Sequence, residues 1–237
     1  MCFNISIAKK KKALEKRFKS EFKPDSLFDQ EYFLSVFTKP KVPVITNTNP
    51  NVIETFKWGL IPHWVKNEET AENISTKTFN SRVETASEKP SFRDALKSNR
   101  CLVLSDGFFE WQTRGKIKVP HYIYKKDNEP FAYAGLWNEW LNKETGEIHN
   151  TFSILTQDAN PFMATMHNTK KRQPIILTKE LEQVWLNSTN NSKKLAEEIA
   201  GSCFNVDLKS HTIDKSFRSF GNSSEVIKPV QFGFELF

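Results

Sequence analysis

The second residue of the chain is a cysteine, Cys2, directly behind Met1. Removal of Met1 would leave a free amine and a thiol within one residue. An α-amine has a pKa near ~8 against ~10.4 for lysine, so its neutral, nucleophilic form is roughly two to three hundred times more populated near neutral pH. Such an amine attacks an aldehyde to give a Schiff base. The neighbouring thiol can then close a five-membered thiazolidine in an intramolecular step, with an effective concentration of ~10⁵ M or more. Taken alone, Cys2 also reads as a chance small residue after Met1.

Three further segments place polar groups in apolar or Gly-rich surroundings. In Phe79-Asn80-Ser81-Arg82-Val83-Glu84, extended alternation puts Asn80, Arg82 and Glu84 on one face. An amide beside a guanidinium suits a sugar hydroxyl and a phosphate, with Glu84 orienting the arginine fork. A structural ion pair on a strand is the other reading. In Ser105-Asp106-Gly107-Phe108-Phe109-Glu110-Trp111, large aromatics desolvate Glu110 and raise its pKa toward the range useful for proton transfer. The alternative is an edge glutamate facing solvent. In the third, Met166-His167-Asn168 leads into Lys170-Lys171-Arg172-Gln173-Pro174. His167 can shuttle a proton beside an anionic backbone, or simply interact with a helix terminus. Trp58-Gly59-Leu60-Ile61-Pro62-His63-Trp64 forms a rigid apolar turn that could stack on bases, or serve as plain core.

These residues must be held by elements whose signals are local. An amphipathic helix is predicted over 12–23, with Leu14, Phe18 and Phe22 on one side and a stop near Pro24. Strands are predicted over 41–46 and 54–61 around the turn at 47–51. Residues 66–78 read as an exposed loop, and 91–98 as a short helix capped by Ser91. Segments 101–104, 121–126, 131–141 and 151–156 read as an antiparallel meander, turning at 127–130 and 142–146. Helices are predicted over 160–167, 179–187 and 192–200, the last closed by Gly201, and a returning strand over 227–237. The expected fold is one mixed α/β domain spanning 1–237, with a central antiparallel, barrel-like sheet flanked by short helices.

Composition narrows the class. The 237 residues, 38% hydrophobic with 20 phenylalanines, fit a soluble globular protein. No stretch approaches the ~18 apolar residues of a membrane span, and Lys9 to Lys12 interrupt any signal-peptide core. Three cysteines are too few for a disulfide framework and suit a reducing cytosol. No Cys–His spacing resembles a metal site. Of the net charge of +6, all of it falls in residues 1–23, and the remainder is balanced. A uniformly basic nucleic-acid coat is thereby excluded, whereas a positive patch near Cys2 or a solvated helix face is compatible.

Taken in order, these segments resemble the SRAP (SOS response-associated peptidase) family of abasic-site DNA–protein crosslinking proteins. The resemblance rests on Met1-Cys2, Trp58 to Pro62, Asn80 to Thr85 and Arg100-Cys101-Leu102. Asp106 to Trp111, Phe131 to Trp137 and Thr156 to Pro174 extend it to about residue 178. It implies a barrel-like core with a groove for single-stranded DNA, no cofactor and no metal, in a monomeric cytoplasmic protein of the DNA damage response. It further implies that mature Cys2 captures the ring-opened aldehyde of an abasic site as a thiazolidine. Asn80 would position the N-terminal residue and the sugar, Glu110 would relay protons, and His167 would act as acid/base and assist reversal or lyase chemistry. DNA contacts would fall to Arg82, Trp58, Gly59, Leu60, Trp111 and Arg172. The peptidase activity would be removal of Met1, self-catalysed or not.

Two departures stand out. The family commonly continues Met-Cys-Gly-Arg, whereas Phe3 and Asn4 follow here, and the stretch after His167 is two residues longer. Two other readings of the same residues are an N-terminal-nucleophile amidohydrolase, with Cys2 as thiolate, and a non-catalytic nucleic-acid-binding module.

Overall fold

A computed structural model describes residues 2–188 and 192–231. In chain order the first half forms β1 (Asn4–Ile7), α1 (Lys11–Phe18), β2 (Glu21–Phe22), β3 (Glu31–Ser35), β4 (Lys41–Thr46), β5 (Asn49–Trp58), α2 (Glu68–Ser75), β6 (Asn80–Arg82), α3 (Arg93–Ser98) and β7 (Arg100–Ser105). The second half forms β8 (Gly107–Arg114), β9 (Ile117–Lys125), β10 (Phe131–Leu141), β11 (Ile148–Asp158), α4 (Pro161–Met166), β12 (Arg172–Pro174), α5 (Lys179–Asn187), α6 (Ser192–Ser202) and β13 (Leu208–Thr212). Among the described residues no helix is long and apolar enough to cross a membrane.

Strands β11, β10, β7, β4 and β5 are neighbours in that order, and a parallel pairing of β5 with β11 closes them into a ring. Closure gives β5 and β11 a partner on the side where a flat row of these five strands would leave an edge, and β2 and β12 pair outside the ring. Alternation along these strands sends Val44, Leu102, Leu104, Phe152 and Ile154 into buried positions. A second sheet runs β13-β9-β8-β1-β3. The chain passes from one sheet to the other at Asp106, between β7 and β8. The mixed α/β, barrel-like expectation is therefore met.

Several local expectations are revised. The meander is broken at 127–130: β9 and β10 belong to different sheets, so that turn is a crossover and not a hairpin. Helix α1 stops at Phe18, before Pro24, because Lys19 adopts a left-handed conformation (φ 53°) and Glu21–Phe22 pair with β5. The polar stretch 66–78 contains α2, whose Asn67 side chain caps the Thr70 N–H at 2.9 Å and whose Ala71 is buried. Its polarity reflects a helix with one narrow buried face. The first-turn residue before α3 is Phe92, and Ser91 makes no cap. Helix α6 runs through Gly201 to Ser202. Residues 224–227 form a 3-10 turn, and no strand occurs over 228–231; the rest of the predicted terminal strand, 232–237, lies outside the described residues.

Candidate active site

The N-terminus is placed by β1, which lies between β3 and β8. Ile5 pairs with Phe108 and Ser6 with Gly107, and continuing this antiparallel register sets Phe3 opposite Glu110, with Cys2 the next residue. The pairing is fastened by a buried network. Ser6 Oγ donates to Asp106 Oδ1 at 2.6 Å, the Lys9 N–H donates to Asp106 Oδ2 at 2.8 Å, and the Tyr122 hydroxyl meets Ser6 Oγ at 2.9 Å. Gly107 is required there, since a Cβ would lie 2.2 Å from the Tyr122 hydroxyl. A buried, satisfied polar network of this kind specifies one arrangement.

Cys2 is fully buried. Its carbonyl accepts a 2.9 Å hydrogen bond from Asn80 Nδ2. Asn80 is held in turn because β6 pairs in parallel with β11, Asn80 opposite Ile154. Burial, then the negative charge of Glu110, push the Cys2 thiol well above its ordinary pKa. The thiol is therefore protonated at neutral pH. Tyr133, also fully buried and held protonated by its burial, brings its hydroxyl beside this thiol and the Ser105 hydroxyl.

Glu110 lies on β8 with its side chain on the same face as Phe108, turned into the interior. Burial pushes its carboxyl up to about 7, so both protonation states are populated near neutral pH. His167 Nδ1 approaches Glu110 Oε1 at 3.9 Å. The same Nδ1 lies 3.0 Å from the Arg172 carbonyl oxygen. A carbonyl only accepts, so Nδ1 carries the proton and Nε2 is left basic. Burial lowers the imidazole pKa, keeping it neutral. The longer stretch after His167 is absorbed by a tight turn. Lys171 takes φ 47°, and Asn168 extends the β8 edge by bonding both the N–H and the carbonyl of Thr113.

Cys2, Asn80, Glu110 and His167 are thus brought together, whereas the predicted nucleic-acid contacts divide. Arg82 is exposed beside Asn80 and lines a groove of about 350 Å³ with Phe3, Phe37, Thr76 and Phe79. Arg172 is not available to a phosphate. Its buried guanidinium donates to both Glu84 oxygens at 2.7 and 3.0 Å and to Asp158 at 2.7 Å. Glu84 accordingly serves Arg172 and not Arg82. Trp58 and Leu60 are wholly buried, so neither can enter a base stack. The Trp58 indole stacks on Phe152 and donates to the Phe79 carbonyl at 2.9 Å, holding the residue before Asn80 from behind. Gly59 has φ 120°, and a Cβ would meet the Ser75 carbonyl at 2.6 Å; its role is the close turn. Trp111 follows Glu110 in the strand and so points to the opposite face, where the Arg218 guanidinium lies 5.5 Å from its ring centre.

The sequence reading missed Phe37. Its ring is 71% exposed and packs on Phe3 and Phe79. Trp64, at the far end of the turn that begins with Trp58, is 43% exposed. Exposure of a large aromatic beside a candidate site is the signal, and it exists only once the fold is known. Among the described residues no cluster of His, Cys, Asp or Glu is placed to hold a metal ion.

The chain is similar to known proteins over most of its length. The sequence profile of the SOS response associated peptidase (SRAP) family matches residues 1–219. The abasic site processing protein YoqW of Bacillus subtilis is 35% identical over 198 residues, covering 82% of this chain and 85% of that protein. The abasic site processing protein HMCES of Gallus gallus is 29% identical over 208 residues, 79% of this chain and 60% of that one. A crystal structure of a protein from Bacteroides thetaiotaomicron superimposes with a TM-score of 0.89 at 36% identity, covering 97% of this chain and 100% of that one.

Proposed function

The chain belongs to the SOS response associated peptidase family, and on that footing we propose that it processes abasic sites in single-stranded DNA by covalent capture through Cys2 after Met1 is removed. The observation that carries this reading is the placement of Asn80 and Glu110 against the second residue of the chain, with His167 beside Glu110.

The chemistry follows from protonation states. The buried thiol is protonated, so the α-amine is the first nucleophile. It adds to C1′ of the opened sugar, and loss of water gives the Schiff base. Glu110, populated in both states, donates a proton to the departing oxygen and recovers one from the nitrogen. The thiol then adds across the C=N bond, its sulfur to carbon and its proton to nitrogen, closing the thiazolidine. The net change is aldehyde plus aminothiol to thiazolidine plus water. His167, neutral with Nε2 basic, is suited to deprotonate the thiol for closure and to return that proton on reversal. Arg82 would take a phosphate beside the lesion, and the exposed Phe37 face would stack on an unpaired neighbouring base.

The test uses mature protein and a uracil-containing oligonucleotide treated with uracil glycosylase. A denaturation-resistant protein–DNA band is expected, absent with Cys2→Ala. No band from protein whose mass confirms loss of Met1 would overturn the proposal. Turnover of a small amide in its place would select the hydrolase.

A further inference from the structure

Glu110 has a second imidazole beside it that the proposed chemistry leaves unused. In the β8–β9 ladder Glu110 stands directly opposite His121. Directly opposed residues project to the same face, with Cβ atoms about 4.5–5.5 Å apart. The face is confirmed by the neighbours: Phe108 and Ile123, the opposed pair next on that face, both sit in the main core, whereas Phe109 and Tyr122 pack in a separate cluster on the other side. His121 is 4% exposed, and neither ring nitrogen has a hydrogen-bond partner among the described residues. Buried imidazoles are ordinarily satisfied. A group so placed, beside a carboxyl of a site, points to a partner that the protein chain does not supply.

We propose that His121 is a further positioning residue of this site, donating a ring N–H to the Glu110 carboxylate through one ordered water. A bridging water satisfies two buried polar groups at little cost. The inference rests on the function proposed above, because it assigns Glu110 a proton-transfer role. Burial first, then the charges of Arg114 and His211, hold the His121 imidazole down to about 4. It is therefore neutral at physiological pH, with one donor and one acceptor nitrogen. The groups acting on Glu110 are the positive amino group at the chain start, which lowers its pKa, His121 from β9, His167 from the end of α4, and Cys2. A neutral donor on the β9 side favours the carboxylate over the acid and opposes the upward push of burial. The two histidines then have separate tasks, His167 exchanging protons with the reacting atoms and His121 setting how readily Glu110 gives its proton up.

The experiment is the pH profile of adduct formation for wild type, His121→Phe and His121→Gln. Loss of the donor in His121→Phe should move the limb due to Glu110 upward by about one pH unit, a roughly tenfold change in the carboxylate fraction. His121→Gln, which keeps an N–H donor, should restore the wild-type limb. If Phe does not pack, His121→Leu removes the donor equally. A folded donor-free variant whose limb coincides with wild type would overturn the inference. Should wild type form no adduct, the functional reading fails by itself. Carbon-13 NMR titration of the Glu110 carboxyl in the same variants then still decides the role of His121.

Discussion

Replacement of Glu110 by Gln should stabilise the protein, and by an amount that depends on pH. Glu110 is buried on β8, and its carboxyl is pushed from 4.5 up to about 7. The folded chain therefore holds this proton more tightly than the unfolded chain does. Its stabilising contribution is complete below pH 4.5 and is lost as pH rises through about 7. The interval is about two and a half pH units, and at 1.36 kcal/mol per unit the loss is about 3 kcal/mol. Glu110→Gln keeps the shape and carries no charge, so it escapes that loss. Its stability relative to wild type should rise by about 3 kcal/mol between acid and mildly alkaline pH and then level off. For a chain of this size that corresponds to roughly 6–12 °C in Tm. The assay is paired urea or thermal unfolding of both proteins across this range, using only the difference between them. Adduct formation by the variant should fall at every pH. A difference that stays flat with pH would mean that the carboxylate is solvated or neutralised in the folded state, and the argument for Glu110 as a proton carrier near neutrality would go with it.

Three other outcomes follow from the placement of individual side chains. Asn80→Ala removes the hydrogen bond to the Cys2 carbonyl; it should cost about 1 kcal/mol in stability and slow capture clearly more than it weakens DNA binding, as read by adduct kinetics against fluorescence anisotropy. Arg82→Ala should lower the salt slope of single-strand binding by about one, whereas Arg172→Gln should leave that slope unchanged and lower stability, since its guanidinium is occupied by Glu84 and Asp158. Phe37→Ala, at an exposed position, should weaken single-strand binding by about 1–3 kcal/mol with little effect on Tm; equal binding would move the stacking surface to Trp64.

The chemistry of the site was legible wherever the residue type itself carries it. An aminothiol is available only from a cysteine that heads the mature chain, and a carboxylate among Phe108, Phe109 and Trp111 makes desolvation one of two readings that the fold then decides. Strands such as 131–141 and the helix 179–187 were legible because alternation and period 3.6 act over adjacent residues. What sequence could not assign was the partner of each group. Glu84 and Arg82 are two apart in the chain, yet Glu84 pairs with Arg172 across the β6–β11–β12 sheet. Trp58 reads as a base-stacking residue or as plain core until the ring closure of β5 onto β11 buries it. Phe37 and His121 carry no motif. One gains meaning from the groove it borders, the other from a register that sets it opposite Glu110. Residue identity fixes which reactions are available, and only long-range strand pairing decides which side chains meet to perform them.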